Sequence, residues 1–406
     1  MMRITILYQF LIAVAISLSL SCGDRQEGKD PTSLSWEEIE KEAQGTTVQM
    51  MMWQGDPFIN SYMTDFVVPE LKKQFNIELE IASGQGNQIV NNLMTEMEAG
   101  KSTGSLDLIW INGETFFQLR EIDALYGPFV EKLPNAESID LENPFIGIDF
   151  QQGIEGMECP WGNVQLALIY NSELVPEPPV TMDSFSEFVN ENPGTFTIPT
   201  EFTGMTLLKS WLIELAGGPG SLDGGFSEEK YQLASQELWK YLDGMRDSWW
   251  QEGQTVPSTL AQVHQLYANR ELWFTMSNND GEVDNKVLQG LFPESSRSMV
   301  FKSGTIQNSH YLGIPKLSAN KSAALVVINF LISQEAQFKK MQPAVWGDGT
   351  VLNVSSLDQE WQQKFAKIPG RERSLSRDSI QAYALKELDP EYMIRLYEDY
   401  RAYISN

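Results

Sequence analysis

The sequence predicts an α/β protein of two lobes, each a doubly wound sheet flanked by helices, and three observations lead there. The 406 residues are 42% hydrophobic and 11% aromatic, enough to bury cores in two globular units. Apolar runs of strand length alternate with stretches whose apolar residues recur at helical spacing. In both halves the strands end in polar, glycine-containing loops, and two such rims turned toward each other form a cleft.

The first 34 residues stand apart from this pattern. Arg3 precedes an apolar and hydroxyl-bearing run from Ile4 to Ser21, interrupted by Gln9, and the run meets Cys22. A positive start, a short apolar region and a small-residue site make residues 1–21 an export signal. The Ser21-Cys22 step resembles a bacterial lipobox, which implies acylation of Cys22; Ser19 stands where that motif has leucine, and plain secretory cleavage is the alternative. Only Cys22 and Cys159 are present, too few for an exported fold built on disulfides. Residues 22–34, charged and small, read as a solvated, lipid-anchored tether. No later segment strings together the roughly 18 apolar residues of a membrane span.

Folding is expected to begin at Ser35-Trp36-Glu37-Glu38, a capping box with Gly45 as the stop. Thr47 to Met52 reads as a strand, and Asp56-Pro57 opens a helix that places Ile59, Tyr62, Met63, Phe66 and Val67 on one face. Ile77 to Ala82 is a second strand, Asn87 caps a helix ending at Gly100, and Leu106 to Ile111 is a third strand. Strands this apolar are expected to be covered on both faces. A second unit follows, with strands at Val164 to Tyr170, Thr195 to Pro199 and Leu272 to Met276. Between them lie a helix starting at Thr181 or Asp183 and another carrying Leu207, Leu208, Trp211, Leu212 and Leu215. Repeated strand-helix-strand units imply a parallel sheet with ligand loops beyond the strand ends, here Trp53-Gln54-Gly55-Asp56 and Asn112-Gly113-Glu114.

With 29 Lys+Arg against 55 Asp+Glu the formal charge is -26, a field that repels phosphate backbones and excludes nucleic acid as a natural partner. It favours a neutral or cationic ligand. Enzymatic readings find little raw material. His264 and His310 are the only histidines, too few for a zinc site by the usual ligands or for a Ser-His-Asp triad. Ala99-Gly100-Lys101-Ser102-Thr103 lacks the first glycine of a phosphate loop, because Thr95 stands there. No cofactor is expected, and the chain is expected to act as a monomer.

The stretch Val164-Gln165-Leu166-Ala167-Leu168-Ile169-Tyr170-Asn171-Ser172-Glu173-Leu174 resembles the hinge strand of the maltose-binding-like, type II periplasmic binding protein superfamily of bacterial extracellular solute-binding proteins. Asn329-Phe330-Leu331-Ile332-Ser333-Gln334-Glu335-Ala336, in an expected helix from Asn320 to Gln337, resembles the same family's late helix. Trp53 to Tyr62, Leu108 to Glu114 and Pro160-Trp161-Gly162 are similar to the YnjB-like branch, which is associated with thiamine import; Gln54 departs from that branch's glycine. The resemblance implies the type II two-lobed fold joined by a hinge, a small-molecule ligand, no catalysis, and an ABC permease as membrane partner. It implies one lobe at 35–163 and 305–350 and the other at 164–304 and 351–406. The other class of function considered is a surface-attached glycan-binding or glycan-active protein outside any importer.

A binding cleft needs flat apolar faces and a few fixed polar groups. Trp53, Trp161 and Trp346 each lie beside glycine, and an indole in a glycine-rich loop stacks on a ring and, with a carboxylate near, holds a cation. Asp56, Glu114, Asp280 and Asp348 are the nearby carboxylates, though Asp56 before Pro57 also reads as a helix cap. Asn60, Asn112, Thr203, Asn278, Asn279 and Asn308 offer side-chain hydrogen bonds, while Gly55 and Gly113 let backbone N–H groups approach. Trp53→Ala and Trp161→Ala are each expected to weaken binding by about 1 to 3 kcal/mol and leave the fold intact. Tyr311 with His310 is a minor candidate for ferric iron.

Overall fold

The computed structural model describes residues 30–405, which divide between two units, one ending at Ser35 and the other beginning at Trp36. The signal 1–21 and Cys22 lie outside the described residues. Within the first unit, Pro31–Ser33 forms a 3₁₀ turn whose Thr32 N–H donates to the Asp30 carboxylate at 2.9 Å, so the end of the expected tether is a capped turn.

After the helix Trp36–Ala43, strand β1 (Thr47–Met52) alternates half-buried and buried residues. Asp56 caps the next helix, Pro57–Ser61, as expected. That helix does not run on regularly: Tyr62–Val67 is π-helical and Val68–Phe75 resumes the α form. Pro69 explains the widened turn, because its ring would clash with the carbonyl four residues earlier. Strand β2 (Glu78–Ser83) is mostly exposed on one face, which corrects the expectation of double coverage: it is the sheet's outer strand. The helix Asn87–Glu98 starts at Asn87 itself, after Gly86, and β3 (Leu108–Ile111) leads through Asn112 directly into the helix Gly113–Glu121.

Short strands β4 (Leu125–Tyr126), β5 (Ile148–Asp149) and β6 (Gln152–Gly153) precede β7 (Glu158–Gln165), in which all eight residues are buried. The strand expected from Val164 to Tyr170 is interrupted at Leu166, beyond which β8 (Ala167–Asn171) belongs to another sheet. Thr195 to Pro199, expected as a strand, forms none. The Thr195 and Phe196 carbonyls accept from Trp273 and Trp250, two separate segments, so no ladder builds although Phe196 and Ile198 are fully buried. Strands β9 (Phe274–Ser277), β10 (Ser296–Met299), β11 (Thr305–Pro315) and β12 (Ala384–Leu385) complete the set. The single late helix expected from Asn320 is two, Lys321–Leu331 and Gln334–Met341, because the Ser333 hydroxyl accepts from Ala336 N–H and caps a new start.

The two lobes rest on two sheets. The first has the order β12-β11-β3-β1-β2, with β4 and β7 also paired to β11. β1 runs parallel to β2 and β3, as the strand-helix-strand units require, and β11 returns antiparallel to β3 and β7. The second is β10-β8-β9 with antiparallel pairs throughout, so parallel crossovers are confined to the first lobe. Its core is aromatic, with Phe196, Trp211, Phe274 and Phe301 packed around Phe185. The chain passes between sheets at Leu166 and again over Val300 to Gly304, where Gly304 has φ 98°. Strand β12, in the span 351–406 expected with the second lobe, pairs with β11 on the first sheet.

Candidate binding cleft

The first-lobe rim comes from the loops after β1 and β3. Trp53 is half-buried and its ring folds over Gly55 so closely that a Cβ there would meet it at 2.3 Å. Asn60 donates to the Gln54 carbonyl at 3.1 Å, which fixes this loop, and leaves its own Oδ1 buried without a partner. Asp56 is fully engaged: one oxygen accepts from Phe58 and Ile59 N–H at 2.8 and 3.3 Å, the other takes the Lys286 ammonium. Asn112 precedes its helix without capping it and accepts from the Thr115 hydroxyl at 3.2 Å. A Cβ on Gly113 would fall 2.0 Å from the Phe150 ring, so glycine is required for that approach.

The second-lobe rim comes from Glu201 to Thr203 and from the segment after β9. Thr203 Oγ1 accepts from Asn278 Nδ2 at 3.2 Å, and Asn278 Oδ1 is left buried without a partner. Asn279 reaches the Trp346 carbonyl at 3.5 Å. Asp280 is structural: it accepts from Gln165 N–H at 3.3 Å and pairs with Arg371. Burial works against its charge, but Arg371 and Arg377 outweigh that and hold the carboxyl below the usual range. Sequence spacing brings Asp280 near the lobe crossing but does not free it for a ligand.

Trp161 is not a loop indole, and Trp346, in the turn after the helix Gln334–Met341 as its glycines suggest, is buried too. Trp161 lies in β7 with no exposed surface, and Trp346 is 3% exposed. Both pack around Trp110 and His310, with ring centroids 4.9–5.9 Å apart, and Trp346 stacks on His310 at 13°. The cation they surround is the protein's own: Lys340 Nζ lies 5.6 and 5.3 Å from the Trp161 and Trp346 centroids. It donates to Asp348 at 2.5 Å and to the Trp161 and Gly349 carbonyls at 2.6 and 2.7 Å. A bulge between His310 and Tyr311 aims the imidazole at Asp348, 3.1 Å away, over Gly162, where a Cβ would clash at 1.9 Å. Tyr311 is fully buried and donates to the Ile146 carbonyl at 3.0 Å, so the pair is tied into the core rather than poised for iron.

Trp110, missed as a site residue, is the half-buried indole of this cluster. Lys209 was also missed, although a lone cation amid the apolar face of Phe202–Leu215 was a legible signal. It has no exposed surface, pairs with Glu387 at 2.5 Å and lies 4.2 Å from the Phe150 centroid. Phe150 and Gln151 form the tip of the β5–β6 hairpin with φ of 45° and 62°, the left-handed pair of a two-residue turn, here without the usual glycine. Asn308 donates to Glu387 at 3.0 Å and, with Asp149, Gln151 and Gln307, lines a cavity of about 40 Å³ beside the hairpin.

Burial also acts on one acidic group of each rim, Glu114 and Glu201. Burial pushes the Glu114 carboxyl up, against the pull of Lys209 and Arg401. Burial likewise raises Glu201, on the opposite lobe, and Glu282 adds to the rise. Tyr397 lies in the field of both: its phenol is raised by burial and then by Glu114 and Glu201. Asn60 Oδ1 and Asn278 Oδ1, one on each rim, are buried acceptors without a partner. Among the described residues no group of three or more His, Cys, Asp or Glu is placed to hold a metal, and no helix is long and apolar enough to cross a membrane.

A family model for bacterial extracellular solute-binding proteins matches residues 67–369. The chain is 37% identical over 326 residues to Protein YnjB of Escherichia coli strain K12, covering 79% of this chain and 84% of that protein. Among solved structures, the spermidine/putrescine ABC transporter substrate-binding protein PotD of Streptococcus pneumoniae is similar with a TM-score of 0.62 at 15% identity, covering 88% of this chain and 99% of PotD. Iron-bound HitA of Pseudomonas aeruginosa is similar with a TM-score of 0.59 at 13% identity, covering 87% and 99%. These likenesses carry the two-lobed type II fold, and with the family match and the relative the conclusion is direct: the chain belongs to the bacterial extracellular solute-binding protein family.

Proposed function

We propose that this protein is exported, anchored through an acylated Cys22, and captures a small organic cation between its lobes for delivery to the permease of an ABC importer. A flat, amino-bearing ring cation of the thiamine kind is the ligand class. One observation carries this reading: carboxyls from opposite lobes, Glu114 and Glu201, are raised by burial around Tyr397, and a cation among them favours their ionised forms. Partnerless acceptors at Asn60 and Asn278 suit a guest that donates, and Trp110 offers a face on which a ring stacks.

The ligand set proposed is Glu114, Glu201, Asn60, Asn278, Trp110 and Trp53, with Asn112, Gly113, Thr203 and Asn279 shaping the rims. Asp56, Asp280, Trp161 and Trp346 support the site from behind, and Asn308 belongs to the neighbouring cavity. The lobes we propose are 35–163 with 305–350 and 164–304 with 351–406, hinged near Val164 and Ser303, and the protein acts as a monomer. Binding favours closure through contacts made to both lobes at once.

Thiamine and its phosphates, polyamines, sugars and ferric iron, each at millimolar concentration, test this by melting temperature and tryptophan fluorescence. At 100 times its Kd a true ligand adds about 2.7 kcal/mol of stability. Thiamine or its phosphates are expected to raise the melting temperature, change the fluorescence and emerge unconsumed. No shift with either would end the vitamin assignment, and consumption of the stabilising compound would replace the receptor by an enzyme.

A further inference from the structure

We propose that the cavity beside the β5–β6 hairpin is a second binding site, which takes one monovalent inorganic cation between Asp149 and Gln307. Three separate stretches build it: Asp149 and Gln151 from the hairpin, Gln307 and Asn308 from β11, and Glu387 just beyond β12. Its volume of about 40 Å³ suits a water-sized guest and falls far below that of an organic-ligand pocket.

Two acceptors here have no donor. Asp149 is 2% exposed, and its Oδ2 is buried without a partner. Gln307 donates from Nε2 to Asn163 Oδ1 at 2.5 Å, which fixes the amide and leaves Oε1 buried without a partner. The neighbouring groups are already engaged. Glu387 accepts from Lys209 at 2.5 Å and from Asn308 at 3.0 Å. Gln151 donates to the Glu387 carbonyl at 2.6 Å and accepts from Gly224 N–H at 3.3 Å. Lys386 is half exposed, with its ammonium 3.3 Å from Asp223, so that charge is matched as well.

Charge sets the valence of the guest. Lys209 and Glu387 cancel each other. Glu158, with no exposed surface, lies against Asp149, and no donor of another residue reaches either of its oxygens. Burial, and then Glu387, push the Asp149 carboxyl well up; burial, and then Asp149, do the same to Glu158. The two carboxyls therefore keep a proton between them and offer one negative charge, which one monovalent cation cancels. A divalent ion, which asks for about six or more oxygens, finds too few. Sodium, potassium and ammonium share the required chemistry, a single small positive charge surrounded by carboxylate and amide oxygens. The bound ion ties the hairpin to β11, and the hairpin tip carries Phe150 against Gly113 on the first-lobe rim, so the ion braces that rim from outside the cleft and independently of its ligand.

Melting temperatures in sodium, potassium and ammonium chloride test the site against tetramethylammonium chloride at equal ionic strength, since methyl groups keep that cation's charge from any oxygen. At least one small cation is expected to raise the melting temperature saturably, by roughly 2 °C or more at ten times its Kd. Asp149→Asn, which keeps the shape, is expected to abolish the difference, and Glu114→Gln to retain it. Wild-type crystals soaked in rubidium chloride are expected to show an anomalous peak beside Asp149, a readout that needs no variant. Equal melting in all four salts would mean that protons alone neutralise the pair, and would overturn the proposal. A rise that survives in Asp149→Asn, one lost in Glu114→Gln, or rubidium bound only elsewhere would do the same.

Discussion

Replacing Trp161 with alanine is expected to cost about 3–5 kcal/mol of stability, the range for deleting a fully buried large aromatic. The indole has no exposed surface and touches Trp110, His310 and Trp346, with the Lys340 ammonium against it. Sequence reasoning expects the opposite division, weaker binding on an intact fold, because it places this tryptophan in a glycine-rich loop. Urea unfolding of the variant decides between them. A midpoint equal to wild type with weakened thiamine binding would return Trp161 to the ligand surface.

Lys340→Met is expected to destabilise by about 3–5 kcal/mol, since it leaves Asp348 buried beside a histidine that burial holds neutral. In the wild type, burial pushes the Asp348 carboxyl up, but Lys340 and then His310 overcome this and bring its pKa to about 2. A folded-state pKa below the unfolded value gives stability that is complete above the unfolded pKa of about 4 and lost as pH falls toward 2. Unfolding free energies at pH 7 and pH 3 therefore separate the two forms. Wild type loses stability between these values, while the variant, with its carboxylate no longer favoured, loses less from this site. Equal stability of wild type and variant at pH 7 would show that Lys340 is a spectator.

The first lobe was legible where local physics decided the outcome. Asp56 before Pro57 reads as a cap and is one, and the alternation of β1, the helix from Asn87 and β3 reads as a parallel crossover. What failed were features set by distant partners. Thr195 to Pro199 has the composition of a strand, yet its carbonyls are claimed by separate segments. Trp161 looks like a loop residue beside glycine, but Gly162 is small so that His310 and Asp348 can approach it from β11 and the segment after Lys340. The pairing of Asp56 with Lys286 spans 230 residues and leaves no periodic trace. Glu201 lies two residues before Thr203, which the sequence does single out. What singles it out is the burial that raises its carboxyl, which depends on the folded surroundings.

Isothermal titration of thiamine into wild type and into Glu114→Gln and Glu201→Gln addresses the two-lobe cation site most directly. Saturable one-to-one binding is predicted for the wild type, weakened at least about tenfold in each variant, a change of about 1.4 kcal/mol. Binding that ignores both substitutions, or an uncharged sugar that binds in thiamine's place, would contradict it.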